Sequence, residues 1–153
     1  MSTSCEYLKL DNQLCFPLYA ASRLTTKIYS PHLKVLDITY PQYLVMLVLW
    51  EHKTMSVNAI GSLLFLESNT LTPLLKRLEQ KQLIKRTRST EDERTVLITL
   101  KDKGEKLKTK AEQIPLKIKD TFKTNEFSED ELISFQSNLI KLLNSIQKQI
   151  NNK

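Results

Sequence analysis

The chain has 153 residues, 41% of them hydrophobic and 26% charged, with a formal net charge of +6. That length supports one core with appended helices, and the composition excludes disordered, collagenous and disulfide-scaffold classes. No apolar run reaches the roughly 18 residues that span a bilayer, and the N-terminus MSTSCEYLKLDNQ has neither the basic nor the apolar region of a signal peptide, so a cytoplasmic protein with no membrane partner is expected.

Two glycines in the whole chain and long patterns of 3.6-residue period predict a mostly helical protein. Leu14, Leu18, Ala21, Thr25 and Ile28 form one stripe of a first helix, which Pro31 is expected to end or kink. Thr39-Tyr40-Pro41-Gln42 reads as a capping box with proline in the first turn, opening a helix through Trp50 that is apolar nearly all round and therefore central to the core. Ser56 to Leu64 reads as a short helix, and the next begins at Glu67 or Ser68, with Pro73 tolerated because it lies near the first turn. Ile84 to Arg88 and Thr95 to Leu100 carry the β-branched enrichment of strands and are joined by the polar turn Ser89 to Arg94. A long helix follows from about Lys101, kinked by Pro115. Ser128-Glu129-Asp130-Glu131 is a second capping box, and the helix it opens places Leu132, Phe135, Leu139, Leu142, Ile146 and Ile150 at intervals of three or four. One helix cannot bury such a seam alone. The expected partners are the first helix and a second copy of the chain, with closure inside one subunit as the alternative.

An amphipathic helix that runs into a basic hairpin, Ser68 to Leu100, is the sequence form of a winged helix-turn-helix. The fold class is therefore mainly α with a small β-hairpin wing. Residues 37–100 are assigned to DNA binding, and residues 1–36 and 101–153 to helical dimerisation.

Charge points the same way. Between Lys76 and Lys110 there are twelve basic and six acidic residues, and the rest of the chain balances at 11 against 11. The whole excess thus sits on one supersecondary unit, whose natural partner is a polyanion, here double-stranded DNA. The second helix of such a unit offers its N-terminal residues to base edges in the major groove. Ser68, Asn69, Thr70 and Thr72 are the candidate readers, with Lys76, Arg77, Arg86 and Arg88 near phosphates. At the hairpin, Arg94 is long enough to enter a minor groove; the other reading is a salt bridge with Asp92 that shapes the turn, and the two are compatible. Leu71, Leu74, Leu75 and Leu78 are expected to face the core. Neither Cys5 nor Cys15 has metal-ligand spacing with His32 or His52, and there is no Ser/His/Asp motif and no glycine-rich phosphate loop. No metal, cofactor or catalytic residue is expected.

The segments LDNQLCFPLYAASR, TYPQYLVMLVLWE, LTPLLKRLEQKQLIKR and STEDERTVLITL resemble the MarR family of winged-helix repressors, in its organic-hydroperoxide-sensing branch. The resemblance covers roughly residues 10–110. It implies a homodimer on a pseudo-palindromic operator, with Cys15 as the redox sensor and Tyr29 of one chain and Tyr40 around the sulfur. It implies that an organic hydroperoxide converts Cys15 to a sulfenic acid, which condenses with a low-molecular-weight thiol or another group, and that the operator is then released. On the residues alone Cys15 has two readings. If a helix begins near Phe16, with Pro17 in its first turn, the thiol sits where free amides and the dipole favour an anion; the alternatives are a helix that starts earlier and is kinked by Pro17, and a cysteine that is only a small core hydrophobe. Tyr19, one turn on, is a candidate for the same pocket. Tyr29 lies fourteen residues from Cys15, about 21 Å along a helix, so the two cannot meet within one. The chain departs from the branch in carrying Asn69 in place of glycine, Pro17 in place of a small helix former, and no cysteine after Cys15. Cys5 is the one internal candidate for a resolving thiol, and otherwise has no role. The rival readings are a MarR-type regulator answering another oxidant or a non-covalent aromatic ligand, and a Cys-dependent peroxidase, in which the basic hairpin would have no place.

Overall fold

The computed structural model describes residues 3–123 and 126–152, with side chains from residue 6 onward. Two compact units result, Met1–Glu112 and Gln113–Lys153. The first opens with two 3-10 turns, Thr3–Leu8 and Leu10–Asn12, followed by α1 (Cys15–Val35) and α2 (Tyr40–His52). A short strand β1 (Thr54–Ser56) leads to α3 (Val57–Leu64) and α4 (Ser68–Gln80), then β2 (Ile84–Arg88), β3 (Val96–Leu100) and α5 (Asp102–Ala111). The second unit holds α6 (Ile114–Phe122) and α7 (Glu129–Asn151).

Helix α2 is the centre of the first unit. Its start is the expected capping box, with the Thr39 amide donating to Gln42 Oε1 at 2.9 Å and Pro41 in the first turn. Val45, Met46 and Leu49 are fully buried, as are Ile60 of α3, Leu71, Leu75 and Leu78 of α4, and Ile98 of β3. Each contributes about 1.5–3 kcal/mol by leaving water. Trp50 spans to α5, its indole N–H donating to the Gly104 carbonyl at 2.9 Å. Gly104 is glycine for want of space: a Cβ there would lie 2.2 Å from the Leu83 carbonyl oxygen and 2.7 Å from Leu100 Cδ1.

Several elements differ from the sequence reading. The sheet has three antiparallel strands in the order β1-β3-β2, not two, with Thr54 opposite Thr99 and Arg86 opposite Ile98. Three residues are too few to display alternation, so β1 left no periodic signal. Pro31 neither ends nor breaks α1, which continues to Val35 and buries Leu33. Pro73 lies in the second turn of α4, not the first. The helix survives because three leucines at 0% exposure outweigh one missing backbone bond. Leu74 is only half-buried. Pro115 does not kink one long helix: α5 stops at Ala111 and Pro115 stands in the first turn of a new one, where its missing N–H costs nothing.

Three helices end in the same way. Beyond α1, α3 and α4 stand Asp37, Phe65 and Gln82 with φ of 54°, 54° and 63°. Each is followed by a residue whose amide reaches back five positions, Ile38 to Leu33, Leu66 to Gly61 and Leu83 to Leu78. This is a Schellman closure whose left-handed position glycine usually fills. The scarcity of glycine in the chain is therefore met by strained side-chain residues.

In the second unit α7 is opened by its capping box, the Ser128 amide donating to Glu131 Oε2 at 2.8 Å and the Glu131 amide to Ser128 Oγ at 3.3 Å. Glu129 pairs with Lys119 and with Lys123, the latter at 3.1 Å, and these cations hold its carboxyl below its ordinary value. No residue of α7 is buried, and Phe135, Leu142, Ile146 and Ile150 of its seam are exposed.

Two substitutions test this account of the backbone. Gly104→Ala is expected to lower the free energy of unfolding by about 1–3 kcal/mol, the cost of overpacking. Gln82→Gly is expected to raise it by roughly 0.5–1 kcal/mol, because relief of about 1–2 kcal/mol of left-handed strain exceeds the added chain entropy. Urea denaturation of both variants beside the wild type checks each sign.

Candidate nucleic-acid interface and sensor cysteine

Helix α4 presents its first turn to solvent. Ser68, Asn69 and Thr70 are exposed and Thr72 is half-buried, while Leu71, Leu75 and Leu78 pin the opposite face. Gly61 of α3 lets the turn between the helices close, since a Cβ there would meet the Leu66 carbonyl oxygen at 2.7 Å. Lys76 and Arg77, one to two turns along, are exposed. The N-terminal amides of α4 have no side-chain cap from Glu67.

The tip of the wing is a wound polar turn. Ser89 Oγ accepts from the amides of Glu91 at 3.2 Å and Asp92 at 3.4 Å. Asp92 then accepts the Arg94 amide on Oδ1 at 3.0 Å and the Thr95 hydroxyl on Oδ2 at 2.9 Å. The expected alternative of an Asp92–Arg94 ion pair is not what forms. Asp92 holds the backbone of Arg94, and the guanidinium projects into solvent without a salt-bridge partner among the described residues. Those hydrogen bonds, the Arg94 amide first and the Thr95 hydroxyl second, keep the Asp92 carboxyl below the usual aspartate range.

Along β2, Arg88 is exposed but Arg86 is not free. Its amide donates to Glu79 Oε1 at 2.9 Å, and its Nη1 lies 3.8 Å from Glu79 Oε2. This placement separates Arg86 from the other candidate DNA contacts, and sequence spacing gave no warning of it.

Cys15 is the first residue of α1, exposed and with a free thiol, and Pro17 occupies the third helical position. Of the two helix starts left open by the sequence, the one near Phe16 is found, within one residue. The side chain of Cys5 lies outside the described residues. Tyr19, one turn on, is exposed, and its hydroxyl accepts from Arg23 Nη1 at 2.7 Å. The Tyr29 and Tyr40 rings meet tilted at 54° with a centroid distance of 4.7 Å, and Tyr43 joins them at 5.9 and 6.4 Å before meeting Trp50 at 6.2 Å. Burial raises the pKa of all three tyrosines, so each keeps its phenolic proton at neutral pH and remains a hydrogen-bond donor. Tyr43 was missed in the sequence, because a helix apolar nearly all round shows no preferred face. Beside this cluster an open cavity of about 570 Å³ is lined by residues including Thr26, Ser30, Leu33, Tyr40 and Lys81. Among the described residues no His, Cys, Asp and Glu side chains are grouped to hold a metal ion, and no helix is long and apolar enough to cross a membrane.

A helix pair α3–α4 followed by a short sheet whose hairpin projects Arg94 beyond the basic strand β2 defines a winged helix-turn-helix protein. The family described as transcriptional regulator SarA/Rot matches residues 27–111. The chain is 50% identical over 149 residues to the organic hydroperoxide resistance transcriptional regulator of Bacillus subtilis (strain 168), covering 97% of this chain and 99% of that one. It is also similar to AbfR of Staphylococcus epidermidis, solved in its reduced form bound to DNA, with 42% identity, a TM-score of 0.75, and coverage of 92% and 96%. Against the disulfide form of AbfR the identity is 40%, the TM-score 0.61 and the coverage 91% and 96%. The chain belongs to the MarR family of winged-helix transcriptional regulators, in its organic-hydroperoxide branch.

Asp92 gives this site a pH signature. Because its carboxyl is held below the usual value by groups it bonds in the folded state, the brace is complete at neutral pH and is lost as pH falls through that lowered value. The Arg94 amide resonance is expected to titrate with a midpoint below the ordinary aspartate value of about 3.9, and to move to its solvent-exposed position at every pH in Asp92→Ala. NMR titration of the wing amides reads both.

Proposed function

We propose that this chain is a homodimeric transcriptional repressor that binds a pseudo-palindromic DNA operator while Cys15 is a thiol and releases it once an organic hydroperoxide oxidises that thiol. The carrying observation is an exposed, unpaired Cys15 in the first turn of α1, in a chain 50% identical over nearly its whole length to an organic hydroperoxide resistance regulator. Ser68, Asn69, Thr70 and Thr72 read base edges in the major groove, Lys76, Arg77 and Arg88 lie along phosphates, and Arg94, its backbone fixed by Asp92, enters the neighbouring minor groove. Residues 37–100 form the DNA-binding part, and residues 1–36 and 101–153 the dimerisation part. The uncovered seam of α7 and the exposed Leu14, Leu18 and Leu24 at the start of α1 supply apolar surface for a second copy.

The chemistry is one oxygen transfer. The Cys15 thiolate attacks the distal peroxide oxygen, the O–O bond breaks, the alcohol leaves with a proton, and cysteine becomes a sulfenic acid. Condensation with a low-molecular-weight thiol then releases water and leaves a mixed disulfide. Within one chain Cys15 and Tyr29 stand about 21 Å apart along α1, so Tyr29 and Tyr40 act on the sulfur from the partner subunit, as protonated donors. Tyr19 lines the same pocket from its own chain. The protein consumes one oxidant per sensor rather than turning over, and it acts in the cytoplasm beside its operator. A second reading, release by a non-covalent aromatic ligand, is favoured by the open cavity bordered by Tyr40.

Binding to the DNA upstream of its own gene, at fixed salt because affinity depends strongly on it, tests both. Wild type is expected to bind and to lose about a hundredfold in affinity, roughly 3 kcal/mol, on stoichiometric cumene hydroperoxide, while Cys15→Ser stays bound. If the two respond alike, Cys15 is structural and the ligand reading takes its place.

A further inference from the structure

The two elements that reach DNA in the proposed function, helix α4 and the hairpin of β2 and β3, are joined through one side chain. The Ser89 amide bonds the Thr95 carbonyl and the Lys101 amide bonds the Leu83 carbonyl, so the odd-numbered residues of this strand turn their amides toward β3. The amide of Arg86 therefore points the other way, off the free edge of a sheet in which β2 is outermost. An amide on a free edge is a donor without a partner unless another element supplies one. Glu79, in the last turn of α4, supplies it at 2.9 Å. The same carboxylate lies 3.8 Å from Arg86 Nη1; the Arg86 side chain is 25% exposed, and its Nε is buried without a partner. That guanidinium is packed between helix and strand rather than extended toward a ligand.

We infer that Glu79 is a positioning residue for DNA binding: its carboxylate locks the edge of the wing to the recognition helix through the Arg86 amide, and Arg86 belongs to that brace rather than to the phosphate-contacting set. The inference rests on the DNA-binding reading of the preceding section. Its consequence has a diagnostic sign. Removing a carboxylate from a basic protein strengthens DNA binding if only charge matters, because the self-field becomes more positive. Removing a brace weakens it, because the wing no longer arrives in register with α4.

The test is operator affinity at fixed salt for wild type, Glu79→Ala, Glu79→Gln and Arg86→Met, with hydroxyl-radical footprints and thermal midpoints for each. Glu79→Ala is expected to bind about tenfold more weakly, equivalent to about 1.4 kcal/mol, and to lose protection at the flanks of the site while the centre stays protected. Glu79→Gln, which keeps an acceptor for the Arg86 amide and drops the charge, is expected to bind at least as tightly as wild type. Arg86→Met is expected to leave the salt dependence unchanged, whereas loss of a phosphate contact lowers the slope by about 0.9. The inference is overturned if Glu79→Ala binds as well as wild type, if Glu79→Gln weakens as much as the alanine variant, or if the Arg86→Met slope falls. Should Glu79→Ala not fold, the glutamine and methionine variants decide alone. Wild type that fails to bind the operator instead overturns the repressor reading.

Discussion

The first unit hangs on the meeting of Trp50, Gly104 and Leu83. The Trp50 indole holds the Gly104 carbonyl, and Gly104 lies so close to Leu83 that no side chain fits between them. The Leu83 carbonyl in turn accepts the Lys101 amide at 3.0 Å. Three junctions are thereby fixed at one point: the core helix α2, the turn from α4 into β2, and the step from β3 into α5. A shift of α2 must be felt where the recognition helix ends and the wing begins. Because interiors are close-packed, such a shift is transmitted rather than absorbed.

This geometry gives the basic unit a division of labour among its charges. Glu79 and Asp92 are acids inside a region whose excess is positive, and each is spent on a backbone amide, at Arg86 and at Arg94. Lys81 is likewise tied to Asp37, its Nζ 2.6 Å from Oδ2. Within α4 and the hairpin, the exposed cations with no salt-bridge partner among the described residues are Lys76, Arg77, Lys85, Arg88 and Arg94. The acids shape the surface and the unpaired cations carry its field.

Much of this was legible in the sequence, and the reasons for the rest are local. Both capping boxes, at Thr39 and Ser128, and both hairpin strands stood out because short-range rules govern them. The prolines misled in two directions. Pro31 and Pro73 sit inside helices that tertiary burial holds together, whereas Pro115 opens a helix instead of bending one. Strand β1 was too short to read, and its place is set by β3 across from it. In the site, exposure of Ser68 to Thr70 followed from helix geometry, whereas the start of α1 at Cys15 decides between two starts that Pro17 had left open. The inward turn of Arg86 did not, because it depends on a glutamate seven residues earlier and on which edge of the sheet is free. Tyr43 escaped notice for a related reason, since packing alone selects the face of an all-round apolar helix.

The unburied seam of α7 also bears on how such a regulator is dosed. A lone chain exposes Phe135, Leu142, Ile146 and Ile150 along one helix, apolar surface that pairing with a second copy would remove from water. Assembly then scales with the square of chain abundance, and operator occupancy inherits that steepness before any oxidant arrives. Synthesis rate becomes a second input to the switch, with scarcity alone able to open the gene.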